Sequence, residues 1–137
     1  MEPLVVPGTL EYLDKIAQYV LCASKRANLG KKASKLRLAV DEIATNIILH
    51  GYQNGNQEGT IKIRANLDEH TLTIYLEDTG TPFDPTAHQH PENLDKPLEE
   101  RALGGLGIYL ARENVDEFLY QRIHNTNRNI LVMNRPQ

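Results

Sequence analysis

Between residues 52 and 60 the hydrophobic pattern of this chain changes its period, and that change limits the possible folds more than any other feature. Before it, Leu10, Leu13, Ile16, Ala17, Val20 and Leu21 recur at helical spacing behind Thr9, an N-cap residue type. The pattern predicts a helix of about 18 residues ending near Asn28-Leu29-Gly30. A second helix is predicted over 32–52, with Leu36, Val40, Ile43 and Ile47 as its core stripe. After the turn-rich stretch 53–59, Ile61, Ile63 and Ala65 alternate with Lys62, Arg64 and Asn66. Leu72, Ile74 and Leu76 then alternate with Thr71, Thr73, Tyr75 and Glu77. A period of two marks half-buried antiparallel strands, joined near Asp68-Glu69.

The flanking segments complete the order. Leu4-Val5-Val6, closed by Pro7-Gly8, reads as an edge strand and turn. A long polar stretch rich in proline and glycine follows Asp78, and its length suits a functional lid, about 84–104. A helix from Leu106 to about Asn114 precedes two strands, near 116–123 and 129–133, separated by the polar turn His124-Asn125-Thr126-Asn127. Helices that do not alternate one-for-one with strands predict an α+β two-layer sandwich: a mainly antiparallel mixed sheet with about three helices on one face. Residues 1–137 form a single domain in this reading, with no internal repeat.

Net charge narrows the function. At −3 the chain lacks the basic stripe of a nucleic-acid-binding protein. Lys25, Arg26, Lys31, Lys32, Lys35 and Arg37 cluster locally and read as solvated helix ends around a turn. Cys22, the only cysteine, permits no intrachain disulfide and is expected in the core. No basic leader and no membrane-length apolar run is present, which makes the cytoplasm the expected compartment.

Three local patterns carry chemistry. Glu42 and Asn46 are spaced one turn apart on a single helix face, beside the core stripe and flanked by Leu38, Ala39 and Leu49. A half-desolvated carboxylate there can accept a proton, and an amide oxygen can bind a hard cation. Asp78-Thr79-Gly80 follows directly on an alternating strand, where a carboxylate can accept from the exocyclic amine of a base. Gly104-Gly105-Leu106-Gly107 places flexible backbone at a helix start, where free amides and the helix dipole suit phosphate. Dinucleotide-fold and Walker spacings do not fit. Taken singly, each pattern is also met in an i,i+4 surface pair, an ordinary turn or a glycine hinge.

Together they resemble a known family. Glu42-x-x-x-Asn46 looks like the N box of the GHKL (Bergerat-fold) ATPases and kinases, Asp78-x-Gly80-x-Pro82-Phe83 their first glycine box, and Gly105-Leu106-Gly107-Ile108 the second. Within that superfamily the chain is most similar, from about Thr9 to Met133, to the bacterial anti-sigma-factor serine/threonine kinases. The resemblance implies ATP and magnesium as cofactors, Glu42 as general base and Asn46 as magnesium ligand. It implies Asp78 on the adenine amine, Gly80 admitting the base, and Gly104, Gly105, Leu106 and Gly107 on the phosphates. Arg101 on the lid would reach the terminal phosphate, with Lys96 a weaker candidate. Implied partners are a STAS-type antagonist, phosphorylated on serine, a sigma factor held inactive, and a second copy of the chain in a homodimer; neither nucleic acid nor membrane is among them.

One departure is expected to matter. Val132 is placed near the last-strand position where such kinases often carry a threonine beside the adenine. That substitution keeps open a non-catalytic module that sequesters a partner and uses nucleotide only to set its shape. A third alternative, the ATP-binding domain of a two-component histidine kinase, would require an upstream helix pair bearing a phosphoacceptor histidine.

Overall fold

The computed structural model describes residues 1–54, 56–84 and 105–136, with side chains in the last segment from Gly107 onward. Strand β1 (Leu4–Pro7) leads through a short 3₁₀ turn (Leu10–Tyr12) into α1 (Leu13–Arg26) and α2 (Lys32–Asn46). Seven residues of π-helix (Ile47–Gln53) extend α2 before β2 (Thr60–Leu67) and β3 (Thr71–Asp78). Helix α3 (Gly105–Glu113), β4 (Glu117–Ile123) and β5 (Thr126–Asn134) complete the order.

The sheet runs β1-β2-β3-β5-β4, and every pairing among the described residues is antiparallel. The sandwich expected from the period change is therefore present, with a wholly antiparallel sheet in place of a mixed one. The period of two sends Ile61, Ile63, Leu72, Ile74, Leu76, Leu131 and Met133 to one face. There they join Ile16, Val20, Leu36, Val40 and Ile43 of the helices in one core. Ile130 and Val132 point to the other face and lie outside that core, although their neighbours cover them.

Local chemistry explains the turns. Asn28 stands in the left-handed region (φ 56) after α1. Its N–H donates to the Lys25 carbonyl, while Leu29 N–H donates to that of Ser24. That pair of bonds is a Schellman cap, closed by the buried Leu29. The β2–β3 turn is held by Asp68, whose Oδ1 accepts from His70 and Thr71 N–H, both at 2.8 Å.

Cys22 departs from its expected place: it is exposed. Ile16, Tyr19, Val20 and Ala23 form the buried side of α1, and Cys22 lies about 200° round the helix from Val20, so an apolar neighbourhood in sequence became an outward position. Leu10 and Leu21, expected in the same stripe, are exposed as well.

Candidate functional site

The inner face of the sheet is apolar until its last rows, where it turns polar. Antiparallel register sets Asp78 of β3 opposite Asn127 of β5, and Asn127 opposite Arg122 of β4. One row further in, Leu76, Asn129 and Tyr120 are aligned. Asp78, Asn127 and Asn129 are all at least 96% buried. Three buried polar side chains at the edge of a hydrocarbon core require partners, and most of them have one.

Asp78 Oδ1 accepts from Gly80 N–H at 2.9 Å and from Asn127 Nδ2 at 3.0 Å. Asn127 Nδ2 also donates to the Gly80 carbonyl at 3.1 Å. Its own Oδ1 accepts from the Tyr120 hydroxyl and from Arg122 Nη1, the latter at 2.8 Å. Two donors on one end of the amide and two acceptors at the other fix its orientation. Burial pushes the Asp78 carboxyl above the usual carboxylate range, while Asn127, Gly80 and the charge of Arg122 pull it partly back.

The π-helix brings the helical half of the site to this strand end. Asn54 N–H donates to the Leu49 carbonyl, five residues back. The widened turn sets Gly51 against Gly80 so closely that a Cβ on Gly80 would stand 2.7 Å from the Gly51 carbonyl oxygen. Thr81 N–H donates to that same carbonyl at 2.9 Å. The smallness of Gly80 therefore serves first the chain's own backbone. Tyr52 ties the junction from the other side: its hydroxyl donates to the Thr60 carbonyl at 2.7 Å and accepts from Thr79 N–H at 3.0 Å. π-Turns of this kind inside α-helices are frequent at functional sites.

A pocket opens between these elements, lined by Asn46, Ile47, Gly51, Asp78, Thr81, Phe83, Asn127 and Asn129. The Oδ1 atoms of Asn46 and Asn129 are buried there with no hydrogen-bond partner among the described residues. An orphaned amide oxygen is costly unless a ligand completes it. One turn before Asn46, Glu42 is half-buried, and burial followed by the charge of Asp41 raises its carboxyl above the usual range. A Cβ on Gly107 would collide with the Glu42 carboxylate, which places that carboxylate against the first turn of α3.

Of the residues singled out in the sequence, Asn46 and Asp78 line one pocket, Gly80 N–H donates to Asp78, and Glu42 meets Gly107. Gly105 and Leu106 begin α3. Arg101, Gly104, Lys96 and most of the expected lid lie outside the described residues. Val132 is displaced from the position expected for it: it pairs with Thr73, five residues before Asp78, and its side chain takes the outer face. The last-strand residues beside Asp78 are Asn127, expected in a turn, and Asn129, expected at the start of the strand with no site role. The alternation of Met133 and Leu131, continued backward by twos, leads directly to Asn129 and Asn127 on the core face.

Residues 6–135 match the family described as the histidine kinase-like ATPase domain. The chain belongs to this family. It is 32% identical over 98 residues to the serine-protein kinase RsbW of Bacillus licheniformis, covering 69% of this chain and 61% of that relative's length. To the RsbW serine-protein kinase of Listeria innocua it is 27% identical over 118 residues, covering 83% and 74% of the two chains. Among solved structures, the catalytic domain of histidine kinase ThkA superposes with a TM-score of 0.56 at 13% identity, over 98% of this chain and 97% of that one. The histidine kinase domain of the blue-light activated histidine kinase of Erythrobacter litoralis gives 0.51 at 19% identity, over 90% and 59%. The likeness in three dimensions extends the ATPase-domain fold across the described chain, and the likeness in sequence runs to serine-protein kinases.

Proposed function

We propose that this histidine kinase-like ATPase domain is an ATP-dependent protein serine/threonine kinase of the anti-sigma-factor type. The observation that carries the reading is the convergence of the buried Asp78 carboxylate and the unpartnered Asn46 oxygen in one pocket, with Glu42 one helical turn away against the start of α3. The serine-protein kinase relatives support it.

In this reading Asp78 accepts from the adenine amine, and Gly80 shapes the floor beneath the base. The α3 amide donors from Gly105 to Gly107, with Gly104 before them, hold phosphate oxygens. Asn46 Oδ1 fits a hard cation, being a buried oxygen with no partner among the described residues. Magnesium, when bound, supplies charge neutralisation across the phosphates. Glu42 takes the proton of the attacking serine hydroxyl; its desolvation makes it a stronger base than a surface glutamate. Arg101, outside the described residues, supplies charge for the terminal phosphate.

The partners in this account are a STAS-type antagonist as the phosphorylated protein, a sigma factor that the kinase sequesters, and a second copy of the chain as homodimer mate, all in the cytoplasm. Among the described residues no helix is long and apolar enough to cross a membrane. The non-catalytic alternative is motivated by Val132, which pairs with Thr73 on the outer face of the sheet. Incubating the protein with Mg-ATP and a STAS-domain antagonist tests the proposal. Phosphoserine is expected with wild type and not with Glu42→Ala; equal labelling, or none with either protein, would overturn it.

A further inference from the structure

Asp78 meets its two protein donors on one oxygen only. Gly80 N–H and Asn127 Nδ2 both lie on Oδ1, at 2.9 and 3.0 Å, and among the described residues Oδ2 carries no bond. A carboxylate oxygen accommodates about two donors, so Oδ1 is saturated and Oδ2 alone remains for a ligand. Asn127 cannot turn away, because the Tyr120 hydroxyl and the Arg122 guanidinium both donate to its oxygen and so commit its NH₂ to Asp78 and to the Gly80 carbonyl.

The number of free oxygens decides which base fits. The pairing edge of adenine offers one amine beside an acceptor nitrogen, a single donor for a single oxygen. The pairing edge of guanine offers two adjacent N–H donors beside a carbonyl, a set that suits a carboxylate with both oxygens free. Beside Asp78, the unpartnered Oδ1 of Asn129 lines the same pocket. It belongs to an amide that can donate as well as accept, which complements an edge of mixed donors and acceptors.

We propose that Asn127 is a positioning residue that sets base specificity: by occupying Oδ1 of Asp78, under the hold of Tyr120 and Arg122, it leaves one carboxylate oxygen and so selects adenine over guanine. The inference rests on the nucleotide-site reading above. Asn127 acts through Asp78 and touches no reacting atom.

The test is calorimetric titration of Mg-ADP and Mg-GDP into wild type, Asn127→Ala and Asn127→Asp. The second variant keeps the shape of the side chain and its bonds from Tyr120 and Arg122, but turns the donor facing Asp78 into an acceptor. Circular dichroism establishes that each is folded. Wild type is expected to bind ADP at least a hundredfold more tightly than GDP. In both variants Oδ1 of Asp78 is freed, and the ADP-to-GDP ratio falls by about tenfold or more, on the order of one charge-assisted hydrogen bond gained by guanine. A ratio unchanged in both variants, with both nucleotides weakened together, identifies a merely structural residue and overturns the inference alone. Equal binding of ADP and GDP by wild type does the same. No nucleotide binding by wild type overturns the site reading and this inference together.

Discussion

Asn127 Nδ2 lies 3.0 Å from Asp78 Oδ1 across the β3–β5 pairing, and both side chains are almost completely buried. This contact joins the polar end of the sheet to the candidate base pocket. It also makes Asp78 a carboxylate that burial opposes and that, among the described residues, two donors and the charge of Arg122 support.

Replacing that charge should stabilise the empty protein. Asp78→Asn can keep an oxygen toward Gly80 and Asn127 while removing the buried charge. For an acid whose folded pKa is raised, as here above the ordinary 3.8, stability is full below the unfolded value and is lost as pH rises through the folded one. The Asn variant should therefore melt at or above the wild-type temperature at neutral pH, with its advantage shrinking as pH falls toward 4, on the order of the ordinary carboxyl value. Thermal melts across that range check this. A variant that melts well below wild type at pH 7 would mean that the carboxylate charge holds the fold.

Glu42→Gln keeps the size and packing of the side chain against Gly107 but removes its basicity. ADP affinity should stay within a few-fold of wild type, while phosphotransfer to a serine substrate falls by about 10²–10⁴. Binding and single-turnover measurements on the same preparation separate these effects. A parallel loss of both would assign Glu42 to binding.

Gly80→Ala places a methyl group on the Gly51 carbonyl. Backbone is in the way, not a flexible side-chain end, so the strand end and the π-helix must separate. The expected cost is about 1–3 kcal/mol in urea unfolding. An unchanged midpoint would show that this junction yields freely.

Tyr52→Phe removes the hydroxyl bridging the Thr60 carbonyl and Thr79 N–H. A loss of about 0.5–1.5 kcal/mol per bond is the ordinary range, so roughly 1–2 kcal/mol is expected for this part-buried pair. Chemical denaturation measures it, and a change within error would assign both backbone groups to solvent.

What could be read from the sequence divides by the distance over which each feature is determined. The spacing of Glu42 and Asn46 is local to one helix, and the alternation of Leu72, Ile74 and Leu76 is local to one strand; both survive into the fold. Asp78 could be read because it ends such a strand. The alternation of β5 puts Asn127 and Asn129 on the core face, but their place beside Asp78 comes from register with β3, which no local pattern records. The hairpin turn is in fact only His124 and Asn125, with His124 at φ 57. The π-helix was hidden for a related reason. Its widened turn goes with the close approach of Gly51 to Gly80, a contact no helical spacing records. Cys22 misled because apolar neighbours in sequence occupy different sides of a helix.

The central claim is that Asp78 anchors an adenine nucleotide in the pocket it shares with Asn46. Calorimetric titration of Mg-ADP into wild type and Asp78→Asn tests it most directly, because the variant places an NH₂ donor where an acceptor must face the adenine amine. The account predicts saturable one-site binding by wild type and at least a tenfold loss in the variant, a difference of about 1.4 kcal/mol or more. Equal affinities in the two folded proteins would contradict it.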